Sequence, residues 1–227
     1  MTSRRRIRKR LRLTAWTLAT AGALALGYCA VEWQSARNYQ QAAARQFDRE
    51  LASPREVARP TPPRLPADGE LVGRLEIPRL RLSAMVVEGT SERDLRRAVG
   101  HVPGTALPGM FGNVALAGHR DSFFRPLQGI RRNDTITLRT KGAVYRYRVA
   151  SATVVGPRDV EVLRTAGRDE LTLITCFPFY YIGAAPERFV VRAERVERAS
   201  AAKPSVVARA APRGNRRLVA RVRIPRG

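Results

Sequence analysis

ELTLITCFPFYYIGAAPERFVVRAERV, residues 170–196, decides the fold class. Its two ends, ELTLITCF (170–177) and RFVVRAERV (188–196), are short runs rich in β-branched and aromatic residues, so both read as strands. Pro178 has no N–H to donate and stops the first ladder two residues after Cys176. Working outward, the same signal recurs. VYRYRVASATVV (144–155) and TITLRT (135–140) alternate apolar and polar residues at period two around Lys141-Gly142, a hairpin signal. NVALAGH (113–119) is a short apolar strand, and LVGRLEI (71–77), stopped by Pro78, and LSAMVVEG (82–89) precede it. SERDLRRAV reads as a short helix with Ser91 as N-cap and Asp94 three residues on. HVPGTALPGMFG reads as loop, and SFFRPLQGI as a short irregular helix. Many short strands with little helix over 70–198 predict a mostly β domain, closed into a barrel or packed as a sandwich.

The termini have other compositions. The chain has 227 residues and a net charge of +23, but residues 1–12 carry seven Lys/Arg and no acid, and residues 203–227 carry eight and no acid. Fifteen of the 23 charges therefore sit in two tails, which suits an anionic surface better than a folded basic groove. Solvated basic tails are the plainer alternative. Residues 13–31, LTAWTLATAGALALGYCAV, hold no charge; at 1.5 Å per residue they approach the ~30 Å hydrocarbon core of a bilayer. The basic run of 1–12 before them puts the N-terminus in the cytoplasm and everything after residue 31 outside. An uncleaved transmembrane signal anchor fits the length of the run better than a cleaved signal peptide. Residues 32–69 read as a juxtamembrane helix (33–52) followed by a Pro-rich spacer with Pro54, Pro60, Pro62, Pro63 and Pro66. Residues 199–227 read as a basic disordered tail.

Two cysteines, Cys29 and Cys176, and two histidines, His101 and His119, leave few ways to build cysteine chemistry. Two cysteines in such different surroundings predict no structural disulfide. Cys29 reads as a small apolar residue in the membrane segment. Cys176 and His119 each stand at the exit of a strand, where the sheet fixes the backbone and the side chain faces a cleft. A thiolate is the competent nucleophile, and an adjacent imidazolium stabilises it and later gives a proton to a leaving amine. Arg188 opens the last strand; a guanidinium can clamp a substrate or an oxyanion but cannot act as base. Set against this, an isolated strand cysteine is commonly an inert apolar residue, and one arginine in so arginine-rich a chain says little.

The motifs say more. VGHVPGTALPGMFGN, LAGHRDSFF and TLITCFPFYYIGAAPERF together resemble the sortase family, and its class D branch best, over residues 70–198. The order His119, Cys176, Arg188 matches, as do Thr172 and Thr175 of the TL-x-TC element; Ser122 stands where many relatives have Thr. The resemblance implies an eight-stranded β-barrel with short helices. It implies a membrane-anchored cysteine transpeptidase in which Cys176 attacks a backbone carbonyl in a Leu-Pro-x-Thr-like sorting motif. His119 protonates the departing amine, Arg188 binds substrate or oxyanion, and Thr175 lends a backbone N–H or hydroxyl near the oxyanion. The implied partners are substrate proteins with a C-terminal sorting motif, an amine acceptor (a cell-wall precursor or a pilin lysine) and membrane lipid.

Other readings stay open on residues alone. A cysteine peptidase would share the thioester and differ only in using water. A non-enzymatic, membrane-tethered binding domain would act through its basic tails; the outward orientation argues against nucleic acid as its partner. His101, in a Gly/Pro loop, reads as a structural hydrogen-bonding residue. Asp121 reads as a cap for the following helix rather than as a partner of His119. Segments 156–170 and 178–187 flank Cys176 and read as substrate walls, while Phe177, Phe179, Tyr180 and Tyr181 read as core. No cofactor is required by this chemistry and no metal site is evident. Asp159, Glu161, Asp169 and Glu170 could at most hold Ca²⁺ weakly, and a solvated acidic loop is the simpler reading.

Overall fold

A computed structural model of the chain describes residues 2–52, 65–181 and 183–198. The predicted tail at 199–227 and the proline cluster from Pro54 to Pro63 lie outside the described residues.

Eight strands close into a barrel in the order β1-β2-β3-β4-β7-β8-β6-β5. They are β1 (Leu71–Ile77), β2 (Leu82–Glu88), β3 (Val99–His101), β4 (Asn113–Ala117), β5 (Thr135–Arg139), β6 (Val144–Val155), β7 (Glu170–Phe177) and β8 (Glu187–Arg198). The barrel class and most strand positions follow the sequence pattern. β3 does not: the sequence pattern puts Val99 at the end of the helix and His101 in a loop. Three residues are too short to show a period, and β3 exists because it pairs in parallel with β2 (Val86↔Val99) and antiparallel with β4 (Gly100↔Ala117). The core is filled by inward residues of the strands, including Leu75, Ile77, Leu116, Ile136, Leu138, Leu171 and Leu173, all with no exposed surface. The helix α2 (Glu92–Arg97) is capped as read, with the Ser91 hydroxyl accepting from the Asp94 N–H at 3.2 Å. The irregular helix predicted after His119 is a single 3-10 turn at Arg125–Gly129.

The helix α1 runs without a break from Thr2 to Ala52. It includes an uncharged stretch long and apolar enough to cross a membrane. Its last turns are docked on the barrel. Phe47 is fully buried with Ala43 and Met85, while Tyr39, Ala44 and Leu71 pack around them. Gln40 accepts from the Met85 N–H at 2.8 Å and donates to the Arg97 carbonyl at 2.8 Å. β3 meets β2 only at 86–88, so among the described residues one edge of β2 before residue 86 has no neighbouring strand, and α1 packs there at Met85. Arg74 adds a contact to Asp48 at 3.0 Å and lies 5.4 Å over the Phe47 ring. The barrel therefore begins, in packing terms, near residue 39.

Candidate active site

Cys176 and Arg188 are direct cross-strand partners on β7 and β8. Opposed residues share a face of the sheet, with Cβ atoms about 4.5–5.5 Å apart. On the other flank of β7, β4 runs parallel with Ala117 beside Ile174. The Gly118 N–H continues that ladder to the Ile174 carbonyl at 3.1 Å. His119 therefore leaves β4 level with Cys176. The backbone positions of three residues separated by 57 and 12 in the chain thus come into one row across β4, β7 and β8: His119, Cys176 and Arg188. Cys176 is half-buried, and the His119 side chain is 32% exposed, with Nε2 4.0 Å from a Glu92 carboxylate oxygen. The Arg188 guanidinium donates from Nη1 to the carbonyls of Ala185 at 3.2 Å and Glu187 at 2.9 Å. That holds it against the β7–β8 loop.

The two threonines of TL-x-TC staple β7 to β4 at both ends. Thr172 Oγ1 donates to Asn113 Oδ1 at 2.8 Å, and Thr175 Oγ1 donates to the Gly118 carbonyl at 2.7 Å; both bonds are buried. Side chains alternate along a strand, so Thr175 faces the core and Cys176 the opposite side. The Thr175 hydroxyl is thus committed to the carbonyl of the residue before His119.

Several residues differ from their expected roles. Asp121 caps nothing: the following turn starts from Phe124 without a side-chain cap. The turn begins four residues beyond Asp121, outside the reach of a capping side chain. Tyr180 and Tyr181 are not core, being 74% and 46% exposed. Their rings lie against arginines instead, Tyr180 at 5.2 Å from Arg125 and Tyr181 at 5.8 Å from Arg120. Phe177 and Phe179 do pack, with Phe189, at centroid distances of 5.3–6.3 Å. The acidic cluster is not a solvated loop throughout. Glu170 is buried between Arg168 at 3.2 Å and Arg192 at 3.7 Å, and Asp169 pairs with Arg195 at 2.8 Å. Among the described residues, no group of three or more His, Cys, Asp or Glu could hold a metal ion.

His101 is buried and structural, as expected. Its Nδ1 lies 2.7 Å from Glu88 and its Nε2 3.0 Å from the Ala106 carbonyl, tying β3 to β2 and to the loop before β4. Arg120 was not singled out in the sequence. Its Nη2 donates to the carbonyls of Tyr181 at 2.7 Å and Gly183 at 3.0 Å, so the loop carrying His119 grips the loop that follows Cys176. Only its adjacency to His119 could have drawn attention to it.

A mostly β closed barrel here carries a cysteine and a histidine at adjacent strand exits, the residue types that thiol acyl transfer uses. The sortase domain family matches residues 75–196, and the chain belongs to the sortase family, the cysteine transpeptidases. Sortase D of Bacillus subtilis is 33% identical over 132 residues, covering 58% of this chain and 67% of that protein. Sortase A of Bacillus anthracis is 33% identical over 111 residues, 47% of this chain and 52% of the relative. The Clostridium perfringens Sortase D5 transpeptidase shares the fold at TM-score 0.62 and 22% identity, covering 70% of this chain and 99% of that one. Sortase E1 of Streptomyces coelicolor, solved with a tripeptide in its active site, aligns at TM-score 0.54 and 31% identity over 62% of this chain and 98% of that one. The match to Sortase D is consistent with the class D resemblance.

Proposed function

We propose that Cys176 is the nucleophile, His119 the proton carrier and Arg188 the clamp on the attacked carbonyl of a Leu-Pro-x-Thr-like sorting motif. The observation that carries this is the backbone register that sets the three residues in one row across β4, β7 and β8. The Cys176 thiolate adds to the carbonyl after Thr, and the guanidinium of Arg188 faces the oxyanion. The C–N bond breaks as the His119 imidazolium gives its proton to the leaving amine, leaving a thioester. An acceptor amine attacks the thioester, His119 takes the proton back, and Cys176 leaves as thiolate. No cofactor enters this sequence. The substrate is a protein bearing the motif near its C-terminus, and the acceptor a cell-wall precursor or a pilin lysine. Residues 13–31 span the cytoplasmic membrane with residues 1–12 inside, and the barrel works outside, at the cell envelope.

The test uses the full chain in detergent, with Cys29→Ala so that one thiol remains. It is incubated with a Leu-Pro-x-Thr-x peptide library and an amine, and followed by intact mass. A thioacyl adduct and an amide product, both absent in Cys176→Ala, are expected. No adduct across the library would refute the assignment. Adduct with only hydrolysis at high amine would replace transfer by peptidase action.

A further inference from the structure

Between α1 and the loop after His119 lies a cavity of about 430 Å³. One wall is α1, with Trp33, Arg37 and Gln41; the other includes Arg96 of α2 and Asp121 and Phe123 beyond His119. Arg37 and Arg96 have no carboxylate partner among the described residues and are exposed. Arg37 lies 4.4 Å over the Trp33 ring. Stacking fixes the guanidinium plane while leaving its N–H edges free for a planar acceptor pair. Arg96 lines the cavity from a different element, so arginines of two elements border one space. Asp121 is the one carboxylate in the lining, leaving a net charge that one phosphate monoanion neutralises.

Height decides which phosphate. The uncharged run ends at Val31, so Trp33 and Arg37 stand about 3 and 9 Å further along the helix at 1.5 Å per residue. The headgroup layer on one side of a bilayer is roughly 5–8 Å thick, and the Arg37 side chain leans back toward the helix N-terminus onto the Trp33 ring, which returns its guanidinium to that layer. Trp33, 62% exposed, sits where tryptophan favours the membrane interface.

We propose that this cavity binds the phosphate of an anionic phospholipid headgroup through Arg37 and Arg96, with Trp33 and Phe123 against the glycerol and first methylenes. The proposal rests on the reading of residues 13–31 as a membrane span. A bound headgroup seats residues 121–123, and with them the strand exit that carries His119, against the bilayer. The catalytic end of the barrel then faces the membrane surface.

The full chain is reconstituted in nanodiscs of equal phosphatidylglycerol and phosphatidylcholine, and lipids that remain bound on gentle release are counted by native mass spectrometry. Phosphatidylglycerol is expected to be retained in preference. At about fivefold per arginine near a charged surface, Arg37→Gln with Arg96→Gln should reduce that preference about 25-fold. Arg45→Gln with Arg93→Gln removes the same charge elsewhere on α1 and α2 and should leave it intact. Equal retention of both lipids, or equal losses in the two double variants, would overturn the proposal. Displacement of the lipid by millimolar inorganic phosphate would also overturn it, because the site would then be one for soluble phosphate. Extraction of the whole chain from membranes by alkaline carbonate would overturn the span itself and the headgroup site with it. Retention of the chain without lipid preference would sink the site alone.

Discussion

Replacing Thr175 by Val isolates the staple beside the catalytic row. The substitution keeps the side-chain volume but removes a hydroxyl that is 2% exposed and donates to the Gly118 carbonyl at 2.7 Å. The carbonyl is left buried without that donor, which costs about 1–3 kcal/mol. Against a typical stability of about 5–15 kcal/mol the domain still folds. With a urea slope near 2 kcal/mol/M, the unfolding midpoint should fall by about 1 M. Gly118 immediately precedes His119, so the imidazole should also lose its place beside Cys176, and misplacement of order 1 Å can cost ~10²-fold in rate. The assay is kcat/KM for peptide transfer, together with the rate of Cys176 alkylation as a function of pH in the Cys29→Ala background. Thr175→Val should lower kcat/KM at least tenfold, mainly in kcat, and change the shape of the alkylation profile. Thr175→Ser, which keeps the hydroxyl, should restore both. A destabilised Thr175→Val with unchanged kcat/KM and an unchanged profile would refute the positioning role and leave only a structural one.

Arg120→Ala removes two hydrogen bonds to the β7–β8 loop that are open to solvent, so a net effect of about 1 kcal/mol, roughly fivefold in kcat/KM, is expected. It should appear chiefly in KM, with faster amide exchange over 183–187; unchanged exchange would show that Arg120 does not hold the loop. The Asp134 carboxyl is held below the ordinary carboxylate range, first by the Arg79 side chain and then by the Arg131 N–H. Its contribution to stability is present above the unfolded value near pH ~4 and lost as pH falls through the native value, so Asp134→Asn should flatten the acid limb of a stability–pH curve. Burial pushes the Tyr147 phenol up to about 12. The unfolded chain then ionises first above pH ~10, so stability should fall from there towards the native value. Tyr147→Phe should lose that part of the alkaline slope, as followed by chemical denaturation across pH.

Much of the barrel was legible because its strands alternate at period two and are punctuated by Pro and Gly. β3 was not, because a three-residue strand has no period and takes its identity from β2 and β4. The stretch after residue 31 read as a juxtamembrane element apart from the barrel, and no local signal in Tyr39, Gln40 or Phe47 says which surface they will meet. Cys176 and His119 were visible by type and motif. Arg188 was visible only by family resemblance, since one guanidinium among 42 Lys/Arg carries little information before its strand partner is known.

Taken alone, the amino-acid sequence determined the fold class, the apolar span and the chemical types able to carry thiol acyl transfer, because periodicity, hydrophobic length and residue type are local properties. The tertiary structure decided how these meet. Thr175 finds Gly118 across 57 residues, Arg120 finds Tyr181 across 61, and Gln40 finds Met85 across 45. Each contact depends on strand register and barrel closure, which are set by the packing of the whole domain. The row of His119, Cys176 and Arg188 is a property of that register: slipping one strand by one residue turns a side chain to the other face and dissolves the row.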